Sequence, residues 1–216
     1  MNMTKLITGF KNKLKYRDFI LIFLIYLTGF IGIRFLDKDF FLPLSFLSLL
    51  IPFILFLYRL KPTYLGYLQL SGVFLFTFFA EWIGVNYGWI FGNYHYGDSL
   101  SIKLGGVPLM IGVNWVLLCI VSRQFLNGLI TNKYLIVVLS TFLMLIIDVI
   151  LEPIAPILDF WVWEGDAVPF TNYRDWFIVA VISQCVLFNF KLKKDLFIWS
   201  AFYLIILILF FLTFYF

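Results

Sequence analysis

Three carboxylates stand in stretches that otherwise read as hydrocarbon-spanning. Glu81 lies in FFAEWIGV, and Asp148 and Glu152 lie in LIIDVILEP. An acid at the centre of a spanning helix costs roughly 2.5–3.5 kcal/mol on insertion scales, so a functional reading is the default. At about 100° per residue, two positions four apart are separated by only about 40°, which puts Asp148 and Glu152 on one helix face. Two acids so placed repel when both are ionised, and a protonated acid beside an ionised one is a usable general acid–base pair. Pro153 is expected to move Glu152 away from helical geometry and to end its helix there. The plainer alternative is that the acids reach interfacial water or tie helices together by hydrogen bonds.

The elements that must hold these acids follow from composition. The chain has 216 residues, 63% hydrophobic and 13% charged, against about 45–50% and about 25% in ordinary soluble proteins. That excludes a soluble domain, a disordered chain, a nucleic-acid-binding module and a disulfide-stapled secreted fold. The expected architecture is all-α, a polytopic transmembrane helix bundle of about seven spans forming a single integral-membrane domain over 1–216. Residues 1–18 form a basic cytoplasmic arm with Lys5, Lys11, Lys13, Lys15 and Arg17. Spans are expected at roughly 19–36, 40–58, 64–85, 107–125, 134–153, 176–190 and 196–216. Pro43 and Pro52 should kink or tilt the second. With the N-terminus inside and the C-terminus outside, twelve of the 16 Lys and Arg fall on inner segments and four on outer ones. This bias explains the net charge of +4 without an anionic partner. Cys119 and Cys185 both fall in spans and read as small buried hydrophobes.

Two outer segments, 86–106 and 154–175, are long for connections in so small a bundle and rich in Gly, Trp, Tyr and Asn. Loops of that kind are usually functional or interfacial. Trp82, Trp89, Trp115, Trp161, Trp163 and Trp176, six of the seven tryptophans, lie in or beside them. An interfacial belt would serve both surfaces, so the asymmetry favours a site. Gly84, Gly88 and Gly92 fit either close helix packing or tight turns. His95, the single histidine, is too little for a di-iron or bis-histidine haem site and reads as a polar loop residue. Asn114, a buried amide, is more often helix–helix glue than a catalytic group. The last span has no lysine for a retinal Schiff base.

The blocks EWIGVNYGWIFGNYHYGDSL, GVPLMIGVNW and DVILEPIAPILDFWVWEGDAVPFTNYRDWF resemble the bacterial and archaeal carotenoid hydratases, the γ-carotene and bisanhydrobacterioruberin hydratases among them. The resemblance covers roughly residues 65–190. It implies a prokaryotic cytoplasmic-membrane protein that adds water across the terminal C1'–C2' double bond of an acyclic ψ-end carotenoid. Carried over by position, it points to Glu81, Tyr94, Tyr96, Asn114, Asp148, Glu152, Trp161, Trp163 and Asn172. Asp175 departs from the pattern, standing before Trp176 where members often have Gly or a small apolar residue, and should alter the local loop.

The chemistry needs a proton donor, a stabilised tertiary cation and a directed water, with no cofactor and no metal. Asp148, deeper in the apolar layer, is the expected donor; Glu152 would hold the water and Glu81 stabilise the cation or relay protons. Tyr94, Tyr96, Asn114, Trp161, Trp163, Asn172 and Trp176 would bind substrate, their rings worth roughly 0.5–2 kcal/mol each to the cation. The expected partners are a lipophilic carotenoid and membrane lipids. Two alternatives stay open: a lycopene-type cyclase, which shares the protonation but wants a drier cavity, and a proton-coupled transporter, which should show an internal repeat or broken midplane helices.

Overall fold

The computed structural model describes residues 3–165 and 167–216, with the backbone alone at 3–15 and 194. Helix α1 runs Met3–Phe35 and α2 Lys38–Phe41, followed by a 3-10 turn at Leu42–Leu44; α3 is Ser45–Leu60 and α4 Tyr64–Tyr87. After strands β1 (Tyr94–Tyr96), β2 (Lys103–Leu104) and β3 (Val107–Pro108) come α5 (Leu109–Asn127) and α6 (Lys133–Leu151). Strand β4 (Trp161–Trp163), α7 (Phe170–Val186) and α8 (Phe197–Leu212) complete the chain. The helical bundle agrees with the sequence. Among the described residues, five helical stretches, starting at Tyr16, Lys38, Tyr64, Leu109 and Lys133, are long and apolar enough to cross a membrane. This is a membrane protein. The lysines of the basic arm, Lys5, Lys11, Lys13 and Lys15, lie outside the described side chains.

Helix α5 is the axis of the bundle: 78% of its apolar stretch is buried, against 17–44% for the other four. The surrounding helices are apolar all round, yet they bury one face. On α4, Leu70, Val73, Thr77, Glu81 and Gly84 are buried, at helical spacing, while Leu65, Leu68, Leu75 and Phe79 are exposed. An apolar face without a protein neighbour is the face a bilayer covers.

Hydrogen bonds tie the two ends of the bundle separately. At one end Arg59 pairs with Asp18 at 2.7 Å, Lys193 donates to the Arg59 carbonyl at 3.1 Å and Arg123 to that of Phe188 at 2.9 Å. At the other, Arg34 donates to the Phe216 carbonyl at 2.7 Å and Tyr215 to that of Ile150 at 2.9 Å. Helices α1, α4, α6 and α8 therefore finish at one end and α3, α5 and α7 at the other.

Several expectations need correction. The helix breaks at Pro43, within the 3-10 turn, but continues through Pro52 inside α3. Helix α6 does end at Leu151, but Glu152 keeps right-handed helical angles, φ −50 and ψ −50, because its N–H still bonds the Asp148 carbonyl. Helix α7 starts at Phe170, six residues before the expected boundary, since Asn172 and Asp175 turn into the protein. Cys119 is buried, but Cys185 is exposed, because α7 turns Ser183 and Gln184 inward instead.

The two long outer segments are joined by a feature absent from the helical reading. Strand β1 pairs antiparallel with β4, in the register Tyr94↔Trp163, His95↔Val162, Tyr96↔Trp161. A second small hairpin, β2–β3, turns on Gly105 and Gly106 with φ of +59 and +84, angles at consecutive turn positions that favour glycine.

Candidate active site

The pleat of a strand sends alternate side chains to opposite faces. In β1 and β4 this sends Tyr94, Tyr96 and Trp161 into the protein as buried side chains, with Trp163 half-buried beside them, while His95 and Val162 are exposed. The ring pairs Tyr94–Trp163 and Tyr96–Trp161 lie 5.0 and 6.2 Å apart between centroids. The two strands thus supply two phenol and two indole donors to one face.

Those donors find the acids. Tyr96 donates to Glu81 Oε2 at 2.7 Å, Tyr94 donates to the same oxygen, and the Trp115 indole N–H donates to Oε1 at 2.8 Å. At Glu152, Trp163 and Trp161 donate to Oε2 at 2.8 and 3.2 Å, and the Asn172 amide donates to Oε1 at 2.7 Å. Each carboxyl group therefore accepts three hydrogen bonds from groups that do not themselves titrate near neutral pH. A hydrogen bond to a charged group contributes about 1.5–3 kcal/mol, so three of them offset much of the cost of burial. Burial, and next the charge of Glu81, push the Tyr94 and Tyr96 phenols well above their usual range, which keeps both as donors.

Local sequence makes the approach possible. Tyr94 reaches α4 over Gly84, where a Cβ would sit 2.8 Å from the Ile90 carbonyl oxygen and 2.9 Å from the Tyr94 hydroxyl. The intervening loop is pinned by Asp175, whose Oδ2 accepts the Phe91 N–H at 2.9 Å, and by Thr171, which donates to the Phe91 carbonyl at 3.1 Å. Phe91 has a left-handed φ of +68, and these two bonds hold it there. Asp159 braces the far side, accepting from the backbone of Asp98 and Ser99 at 2.8 and 3.1 Å.

Between the acids lies a cavity of about 20 Å³, enough for roughly one water molecule. Its walls are Glu81, Glu152, Tyr94, Tyr96, Asn114, Trp161, Trp163, Asn172 and Trp176, together with Phe91, Ile111 and Trp115. All seven residues expected to bind substrate therefore meet at one place, with two of the three acids. The third does not. Asp148, 1% exposed, is not among the cavity-lining residues. It stands one turn deeper on α6, roughly 6 Å along the axis from Glu152, and the Asn172 amide bridges the two, reaching Asp148 Oδ2 at 3.3 Å. Its Oδ1 has no hydrogen-bond partner among the described residues. Asp148, expected from its depth to be the donor, thus meets the cavity-lining Glu152 through that amide.

Trp115 counts in the sequence only among the clustered tryptophans, with no role at the acids. Its indole holds Glu81, and its ring stacks on Trp176 at 3.8 Å; the signal was its position beside Asn114. Trp89, by contrast, is 76% exposed, as a headgroup-level residue should be. Among the described residues, no group of three His, Cys, Asp or Glu side chains is placed to hold a metal.

The fold and site define a polytopic membrane protein with a dicarboxylate cavity walled by aromatic rings. The chain belongs to the carotenoid biosynthesis protein family, whose sequence model matches residues 40–216. Over 146 residues it is 29% identical to the bisanhydrobacterioruberin hydratase of Haloarcula japonica, a match covering 59% of this chain and 46% of that protein. The chain thus spans about half the length of this curated relative. No solved structure matches it.

Proposed function

We propose that this protein hydrates the terminal C1'–C2' double bond of an acyclic ψ-end carotenoid by acid catalysis, giving a tertiary alcohol without a cofactor. One observation carries the reading: Glu81 and Glu152, each held by three donors, face one water-sized cavity walled by Trp and Tyr rings. Oε1 of Glu152 has a single donor and retains a lone pair to carry a proton. Glu152 gives that proton to C2', the π electrons form the new C–H bond, and the cation develops at C1'. The aromatic faces and the Glu81 carboxylate stabilise it. Water adds its oxygen to C1' and loses a proton to Glu81, so the net change is one H2O. Cavity water carries the proton back from Glu81 to Glu152, and Asp148, one turn below and held by the same Asn172 amide, opposes a second negative charge on Glu152 and so favours its protonated form. Membership of a carotenoid biosynthesis family and the hydratase relative both support this assignment.

The test is isotopic. The purified protein in lipid, given lycopene in ¹⁸O-labelled water, should yield a tertiary alcohol carrying the label with no other additive. Dependence on NAD(P)H, flavin or O2, or an unhydrated cyclic product, would overturn the reading; the cyclic product would mark a cyclase.

A further inference from the structure

The carboxylate cavity does not stand alone. A larger cavity of about 250 Å³ lies between α1 and α3, walled by side chains such as Leu24, Ile33, Leu47 and Ile51. A narrow passage of about 30 Å³ lies behind it. The passage shares Tyr26, Ser48, Phe160 and Phe210 with the outer groove. With the carboxylate cavity it shares Ile111, Asn114 and Trp161. The three spaces thus adjoin in a row from the α1–α3 cleft to Glu81 and Glu152, neighbours divided only by the side chains they share.

The chemistry of this line changes along its length. The outer groove is almost wholly apolar, and its Tyr26 hydroxyl already donates to the Ser48 carbonyl at 3.2 Å, while the Ser48 hydroxyl donates to that of Ser45 at 2.7 Å. The Tyr26 and Ser48 hydroxyls are thus already paired, and the other polar side chains on the groove are only Thr28 and Ser45. Helices α1 and α3 are among the least enclosed of the bundle, and Leu24 is 48% exposed on the groove's rim, so the mouth faces the bilayer. Tyr26, Phe160 and Phe210 crowd the constriction, with Tyr26 and Phe210 edge-to-face at 5.2 Å.

We propose that the α1–α3 groove and the passage behind it seat the polyene arm of the substrate, which enters sideways from the bilayer. The constriction at Tyr26, Phe160 and Phe210 admits its linear end to the carboxylates. The choice of occupant rests on the hydratase reading above. A long apolar chain ending in a reactive alkene matches a long apolar groove ending in two acids. An acyl chain of a membrane lipid could fill the groove but has no use for its inner end.

Lycopene is achiral and acquires visible circular dichroism only when held in a chiral site. The full-length protein in lipid nanodiscs should induce such a signal. Gly29 lines the groove, and a Cβ there meets only the Phe210 ring, at 3.7 Å. Gly29→Leu should therefore plug the groove and abolish the signal, while Glu81→Gln and Glu152→Gln retain it. If Gly29→Leu fails to accumulate, Ile51→Phe, from the opposite wall, is read in the same way. A signal that survives either plug, or a wild-type protein that induces none because lipid occupies the groove, overturns the proposal. The readout needs no turnover. Loss of hydration with a groove-dependent signal would sink the hydratase reading alone.

Discussion

Glu81 and Glu152 have the same number of donors, yet the proposed reaction asks opposite things of them. What separates them is a neighbour: Asp148 lies one turn below Glu152, joined by the Asn172 amide. The functional and bland readings diverge under amide replacement, which keeps hydrogen-bonding capacity and removes the titrating proton. Glu81→Gln and Glu152→Gln should each lower kcat by at least ~10²-fold, the lower range for loss of a general acid or base, while the protein still inserts and accumulates. Asp148→Asn should lower kcat, leave KM in place and shift the Glu152 limb of the pH–rate profile to lower pH. An unchanged profile would assign Asp148 to packing alone. Near-normal rates in all three variants would place the chemistry elsewhere. The acids were legible in the sequence because a carboxylate in hydrocarbon is costly enough to demand a reason. Which of them touches the cavity was not, since a shared helix face fixes direction but says nothing of depth or of an amide reaching in from α7.

At the scale of elements, the helices were readable because an apolar window of spanning length has few other uses. The β1–β4 ladder was not. Three residues are too few for a convincing alternation, and the partners, Tyr94–Tyr96 and Trp161–Trp163, are separated by the whole of α5 and α6. Even so, YHY and WVW carry the pattern in miniature, with the donors at first and third positions. The same shortness hid why Gly84 matters. Of the two glycine readings, the turn holds at Gly88, which caps α4 with a φ of +66, whereas Gly84 serves close approach of the 90–94 loop and not of another helix. Gly84→Ala places a methyl against the Ile90 carbonyl and the Tyr94 hydroxyl, both within 3 Å. Overpacking of that kind costs about 1–3 kcal/mol. The thermal midpoint in detergent should fall and turnover with it, as Tyr94 is pushed off Glu81. Gly88→Ala should lower the midpoint while leaving more of the turnover per folded molecule. Equal specific activity in wild type and Gly84→Ala would mean that the Tyr94 contact is dispensable.

For the whole molecule, alternation of the helices puts the 36–45 turn, both aromatic loops and the C-terminus at one end. Arg59, Arg123 and Lys193 gather at the other. From the positive-inside bias we propose that this second end is cytoplasmic. Reporter fusions after Arg59, Lys103 and Arg174 should read inside, outside and outside; any other order would reverse or break the topology. The spans themselves were visible in composition, but α7 was misjudged at its start because its polar first turns serve the cavity and resemble loop.

The pairing of β1 with β4 has a consequence in symmetry. An antiparallel pair carries a local two-fold axis, here through His95 and Val162, and what lies on each side of it corresponds. Helix α4, strand β1 and helix α5 supply Glu81, two phenols and an indole; α6, β4 and α7 supply Glu152, two indoles and an amide. The cavity is built twice over from the same plan, head to head. A perfectly two-fold cavity would hold two indistinguishable acids and could not tell donor from acceptor. Four residues before Glu152 stands Asp148; four before Glu81 stands Thr77, its hydroxyl spent on the Val73 carbonyl at 2.9 Å. Under the proposed reaction that mismatch, with the exchange of phenols for indoles, gives the cavity a direction.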